Sequence, residues 1–363
     1  EVDTTGWVSA DFHIHALRSP DSYVPYDIRV LQAATDALEV PVLTEHVYLS
    51  NFQTTIDELG MGEHVTGISG QEVTSFTHGH FNAFPLILDP NKPNLGGVLP
   101  YDKGAVELFS AIREQHPGDE VIQVNHPRGS SISGYFSYVG LDSANDTTER
   151  PEEWSMNWEA IEVFNGSCGK GEIYQDWVNL TNHGHKKTLS SGSDTHGEAG
   201  PPGNVRNWIP IDLATLEANH GSIVPVVRDR QMIVSCGPFV TFDAVDSSGD
   251  VVATLGQMAS RDSEGGVDLR VTVQGPSWMQ IHTLNLYENG KLIATEDLSG
   301  AEGAERFNDV LRVTPTADAW YSVEVVGSGT MAPAVLGGSP YAVTNPIEVD
   351  ADGDGVWTPP AKQ

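Results

Sequence analysis

Cysteine is almost absent. Cys168 and Cys236 are the two in 363 residues, and their separation is not the spacing of a zinc or redox motif. Cationic side chains are also scarce, with 19 Lys and Arg against 50 Asp and Glu and a formal charge of -31. That excludes a surface for duplex nucleic acid, because such binding depends on Lys and Arg neutralising phosphates. A small phosphorylated substrate stays open, since bound cations reverse the local field. No apolar run approaches the roughly 20 residues of a membrane helix, so no membrane partner is expected and the chain reads as soluble. Repeats of solenoid length and low-complexity blocks are lacking too. The chain starts at Glu1 rather than Met, which fits a removed leader or a trimmed end. The reading leans towards an exported protein, periplasmic or extracellular.

The length suits one large domain with a smaller companion. From Trp7 to about Gly237 short apolar runs alternate with helical patterns, the signature of an α/β chain built from β-α units around a parallel sheet. The runs are Trp7 to Ile14, Val40 to Thr44, Gly67 to Thr74, Val121 to Val124, Ala160 to Phe164 and Thr188 to Gly192. Helices are predicted over Asp27 to Leu38, with Asp27 as a cap, and over Ala105 to Gln115 and Glu172 to Asn182. Asp142 to Glu153 reads as an exposed loop. After Gly237 the pattern turns to period two, as in Val267, Leu269, Val271 and Val273, and Asn289-Gly290 marks a hairpin between Leu284 and Thr295. The expected division is residues 1–237 as the catalytic domain, 238–347 as a β-sandwich and 348–363 as an Asp-rich tail.

Histidines and acids stand at the downstream ends of the predicted strands, where the loops of β/α barrels converge on an active site. In Asp11-Phe-His-Ile-His15 the two imidazoles fall on one face of a strand, so one metal can accept both. The following runs carry Leu43-Thr-Glu-His46, Gly70-Gln-Glu72, Val124-Asn-His126 and Gly192-Ser-Asp194-Thr-His196. A lone His or strand-end Glu is usually a surface or satisfied core residue. Ligand-type residues at successive strand ends are far harder to attribute to chance. Mixed imidazole and carboxylate ligands suit Zn, Mn or Fe.

The motifs DFHIH, TEH, GQEVTSFTHGHFNAF, NHPR and SGSDTH resemble those of the PHP family, named for polymerase and histidinol phosphatase domains, and within it the carbaryl-hydrolase-like CehA/McbA branch. The resemblance covers roughly residues 6 to 237. It implies a distorted seven-stranded, TIM-like β/α barrel with two or three divalent metals. Carried over by motif, His13, His15, Glu72 and Asp194 would hold the first metal. Glu72 would bridge to a second held by His80 and His126, and Asp21, His46 and His196 would hold a third. Pro20 interrupts the commoner form of the first motif at Asp21. His78 competes with His80, which is preferred because it precedes the apolar run Phe81 to Leu88 and matches the GHFN element.

The expected activity is a metal-dependent hydrolase using a metal-bridging hydroxide on a small phosphate ester, with a carbamate or aryl ester as the alternative. Glu72, Asp194, His196 and Arg128 are the catalytic candidates, Arg128 either orienting an anion or forming a surface salt bridge. No serine or cysteine nucleophile is required, so Ser193 reads as part of the SGSD turn, Cys168 as buried and Asp11 as support for the ligand strand. His64, His116, His183, His185, His220 and His282 read as structural, with His183-Gly-His185 the pair closest to a catalytic strand. Asp350-Ala-Asp352-Gly-Asp354-Gly355 resembles half a calcium loop, without the Glu expected at its end. A contrasting class is a secreted binding module whose sandwich recognises a polysaccharide while the barrel is idle.

Overall fold

The computed structural model describes residues 1–115, 120–130, 132–335 and 338–363. His116 lies outside them. The first strands in chain order are β1 (Val8–Ile14), β2 (Val40–Leu43), β3 (Ile68–Ser69), β4 (Gln71–Thr74), β5 (His80–Phe84), β6 (Val121–Val124), β7 (Ala160–Asn165), β8 (Thr188–Gly192), β9 (Arg206–Ile209) and β10 (Ile233–Cys236). Then come β11 (Phe239–Val245), β12 (Val251–Thr254), β13 (Met258–Ser260), β14 (Val267–Gln274), β15 (Gln280–Glu288), β16 (Lys291–Asp297), β17 (Glu305–Val313), β18 (Ala319–Ser328), β19 (Tyr341–Thr344) and β20 (Ile347–Asp350). They form three sheets. An 11-stranded sheet runs β13-β20-β18-β19-β10-β9-β1-β2-β3, with β15 on β18 and β16 on β15. A 5-stranded sheet runs β4-β5-β6-β7-β8, and a 4-stranded one runs β12-β11-β14-β17.

This corrects the expected α/β, TIM-like β/α barrel. The described chain is mostly β, its helices are few with none longer than 11 residues, and no ladder closes a barrel. The helices of Ala105–Gln115 and Glu172–Asn182 form where predicted. The first one is Tyr26–Thr35, with Pro25 at the cap position and Asp27 inside the first turn.

Three local causes explain the departure. The run Gly67 to Thr74 is two strands in two sheets, divided at Gly70, where a Cβ would meet the Leu43 carbonyl oxygen at 3.0 Å and that of Ala83 at 3.2 Å. The chain crosses between sheets there because glycine permits so close a backbone approach. Next, β4 and β5 are an antiparallel hairpin, and β5 pairs antiparallel with β6, so these strands break the run of parallel pairs that a β/α barrel repeats. Finally, the edge of β8 away from β7 is met by side-chain amides. Asn345 accepts from the Leu189 N–H (2.9 Å) and donates to the Leu189 and Met232 carbonyls (2.9 Å each), while Asn207 accepts from the Ser191 N–H (3.0 Å) and donates to its carbonyl (2.9 Å). Isolated bridges pair Ile14 with Thr195 and His46 with Glu72, tying the first two sheets together beside the candidate site.

Alternation along β1 sets its two faces. Val8, Ala10 and Phe12 join an apolar cluster with Val40, Val42 and Val121, while Asp11, His13 and His15 lie on the other face, all fully buried. The hairpin of β15 and β16 turns at Asn289 (φ 52°) and Gly290 (φ 79°), left-handed at both positions as its sequence signal requires.

Candidate metal centre

All but one of the cluster residues sit on or near a strand end, Asp21 lying in the loop after β1. His13 lies in β1 and His15 just past it, His46 follows β2, Glu72 lies in β4, His80 opens β5, His126 follows β6, and Asp194 and His196 follow β8. Close approach of β8 to β1 depends on Gly192, whose added Cβ would fall 2.2 Å from that of His13. His126 (φ 27°) and Asp194 (φ 50°) have left-handed backbones, the strain that surrounding structure tolerates at functional sites.

The side chains converge in three groups. His13 Nε2 is 3.0 Å from His15 Nε2, both are 3.2 Å from Asp194 Oδ1, and His13 Nε2 is 3.4 Å from Glu72 Oε1. The same Oε1 lies 3.2 Å from His80 Nδ1 and 3.6 Å from His126 Nε2. Asp21 Oδ2 is 3.3 Å from Nε2 of both His46 and His196. With metal–nitrogen bonds of about 2.0–2.1 Å, neighbouring ligand atoms lie about 2.8–3.0 Å apart in an octahedral shell and about 3.3–3.4 Å apart in a tetrahedral one, and most of these pairs fall within that span. Buried His80 Nδ1 and His196 Nε2 have no hydrogen-bond partner, as expected of lone pairs aimed at a cation. The sets His13-His15-Glu72, Glu72-His80-His126 and His15-His46-His196 could each hold a metal ion.

Hydrogen bonds behind the cluster orient the rings. His13 Nδ1 is 2.7 Å from Glu162 Oε1, His15 Nδ1 is 2.8 Å from Ser19 Oγ, and His196 Nδ1 donates to the Asp194 carbonyl at 2.8 Å. Glu72 Oε2 lies 2.5 Å from His46 Nδ1 and accepts from Thr74 (3.1 Å), while Asn125 donates to Oε1 (2.9 Å). The His15 ring stacks on His196 at 4.1 Å. Burial pulls His15 down to about 4, leaving it the neutral imidazole that metal binding needs. Burial also opposes charge on His13, but Asp194, Glu162 and Glu72 together raise it well above the usual range. Glu72 is held well below the ordinary carboxylate range, because His13, His126 and His46 outweigh its burial.

Two buried carboxylates escaped sequence reading. Glu162 lies in β7 and, besides His13, accepts from the His126 N–H (2.7 Å) and Asn165 (3.0 Å). Its signal was an acid inside the apolar run Ala160 to Phe164. Glu45, beside His46 in the TEH motif, is also fully buried.

Other candidates lie apart. Arg128 grips Asp176 at 2.7 and 2.8 Å and the Leu141 carbonyl at 2.8 Å, an ion pair of the kind named as the alternative to orienting an anion. A buried, bidentate carboxylate already occupies its fork. Buried His78 bonds Thr77 through Nδ1 at 2.7 Å and packs near Tyr138. Ser193 donates to the His13 carbonyl (3.2 Å), and Asp11 accepts from the N–H groups of His13, Ser193 and Gly203. His183 and His185 bind Ala144 and Asp146 in the loop 142–149. In the tail, Asp318, Asp350 and Asp352 could hold an ion, so the group includes Asp318 where Asp354 was expected. Asp350 and Asp318 already accept backbone N–H groups from residues 351–358. Cys168 and Cys236 form a disulfide.

No family model and no curated protein matches the chain. Among solved structures it is similar to the CARDB domain of PF1109 from Pyrococcus furiosus, at 14% identity over 32% of this chain and 97% of that one, with a TM-score of 0.21. A second structure of that domain, in complex with di-metal ions, gives 15% identity, 31% and 94% coverage and a TM-score of 0.20. An amidohydrolase from Chromobacterium violaceum gives 16% identity, 52% and 87% coverage and a TM-score of 0.29. These scores lie below the level at which a shared fold follows.

Proposed function

We propose that this chain is a metal-dependent hydrolase, with small phosphate esters as its first substrate class. The observation that carries the reading is Glu72. Fully buried, it places Oε1 between His13 and the His80-His126 pair and turns Oε2 to His15 at 3.8 Å, as a carboxylate shared by two cations would. The motif likeness to PHP proteins points the same way.

His13, His15, Glu72 and Asp194 would hold a first ion, Glu72, His80 and His126 a second, and Asp21, His46 and His196 a third. Divalent cations there would lower the pKa of a water molecule and offset the negative charge that builds up as an ester is cleaved. The protein's own part is positioning. Glu162 orients His13 with its Nε2 towards the cluster, Asn125 and Thr74 hold Glu72, and Asn165 holds Asp194 Oδ2 at 3.0 Å. Zn, Mn or Fe fits the donors better than Ca.

A second reading, hydrolysis of an aryl carbamate or carboxylic ester, is favoured by the engagement of Arg128 with Asp176, since an uncharged ester needs no guanidinium clamp. Export is supported by the disulfide, a bond that persists in oxidising compartments, and no helix is long and apolar enough to cross a membrane. The partner in this reading is a small-molecule ester.

The test is metal analysis of the purified protein, then chelation and readdition with aryl phosphate mono-, di- and triesters beside aryl carbamates and carboxylic esters. Hydrolysis should vanish with chelator and return with Zn, Mn or Fe but not with Ca. Cleavage of carbamates alone selects the second reading, and a metal-loaded protein inert to the whole panel overturns both.

A further inference from the structure

Glu45 shapes the cluster without facing it. Its Oε2 accepts from the Ala16 N–H (3.1 Å) and the Ser19 hydroxyl (2.5 Å), and its Oε1 from the Arg18 N–H (3.0 Å) and the Tyr26 hydroxyl (3.2 Å). Two oxygens thus serve four donors.

The consequence passes through Ser19. A hydroxyl has one proton and two lone pairs, and this proton goes to the carboxylate. The lone pairs are left for the His46 N–H at 3.1 Å and for His15 Nδ1 at 2.8 Å. Ser19 therefore meets His15 only as an acceptor, so Nδ1 carries the hydrogen and Nε2 turns a lone pair to the cluster. The same four bonds pin the start of the loop that brings Asp21 to His46 and His196.

We propose that Glu45, acting through Ser19, is a positioning residue that selects the metal-binding tautomer of His15 and sets the affinity of the cation that His15 would help to hold. The inference rests on the reading of the cluster as a cation site. Partners behind metal-ligating histidines typically change affinity by about 10–100-fold when removed.

Two variants test it. Glu45→Gln must turn an NH2 towards one of the two donor pairs whichever way it is placed. Ser19→Ala leaves the Ala16, Arg18 and Tyr26 bonds to Glu45 in place and removes the hydroxyl that links Glu45 to His15 Nδ1 and to the His46 N–H. Zinc per chain, measured at buffered free zinc, should fall in both variants through the most weakly held ion, with an affinity loss of about 10–100-fold. Two-bond proton–nitrogen NMR of the full chain should show His15 protonated at Nδ1 in the wild type and lose that preference in Ser19→Ala. Unchanged zinc binding together with an unchanged His15 signal in Ser19→Ala overturns the proposal. A wild type that binds no zinc sinks the metal reading instead, and the His15 tautomer, readable without metal, still decides whether the relay exists.

Discussion

Glu72 is the residue whose loss tells most. Removing its charge while keeping its shape should separate the first two ion positions, because an amide cannot present two acceptor oxygens to His13, His80, His126 and His46. Glu72→Gln is expected to keep its circular dichroism spectrum, lose at least one bound metal per chain and lose activity by orders of magnitude. Full metal content with unchanged turnover would remove Glu72 from the cluster. The candidate ligands were legible because most of them fall in short motifs at run ends. Glu162 and Glu45 were not, because a carboxylate's role as a hydrogen-bond acceptor for a ligand depends on what lies across the sheet or loop from it. Glu162 is 149 positions from His13 in the chain, a separation no local pattern records.

At the scale of elements, β8 is the instructive strand. Its sequence, Thr188-Leu-Ser-Ser191 before Gly192, reads as an ordinary parallel strand and pairs with β7 as one. Nothing in that run shows that its far edge is met by Asn207 and Asn345, which arrive from distant segments. Asn345→Ala should leave the Leu189 N–H and carbonyl without their amide partner in a fully buried region, while the Met232 carbonyl keeps the backbone N–H of residue 345. Each such group costs about 1–3 kcal/mol, and relief by water keeps the expected total near about 3 kcal/mol, measurable as a lower urea midpoint. Little or no loss would mean that another group or water closes this edge. The β15-β16 hairpin is the opposite case, since Asn289-Gly290 states its turn within two residues.

Across the whole molecule, the disulfide joins the loop after β7, 68 residues along the chain, to the end of β10. Cys168 follows Asn165, which holds both Glu162 and Asp194, so the bond anchors the wall of the cluster to the 11-stranded sheet. Closing a loop of that length restricts the unfolded chain by about 4 kcal/mol on a chain-entropy argument. Reduction should lower the urea midpoint accordingly with the native spectrum retained, and an unmoved midpoint would show that the bridge adds nothing to the sheet's own hold. Cysteine spacing carried no hint of this pairing, because the two thiols meet only after β10 is laid beside β19 and β9.

The sequence by itself determined the set of candidate ligands, the alternation that puts His13 and His15 on one face, the two main helices and the β15-β16 hairpin, since each depends on spacing within one segment. Tertiary structure decided the open three-sheet arrangement in place of a barrel, the engagement of Arg128 with Asp176, the disulfide and the roles of Glu45 and Glu162. These depend on where a chain crosses between sheets and which distant atom faces a buried donor, and Gly70 and Asn345 act through contacts that form only when separate strands pack.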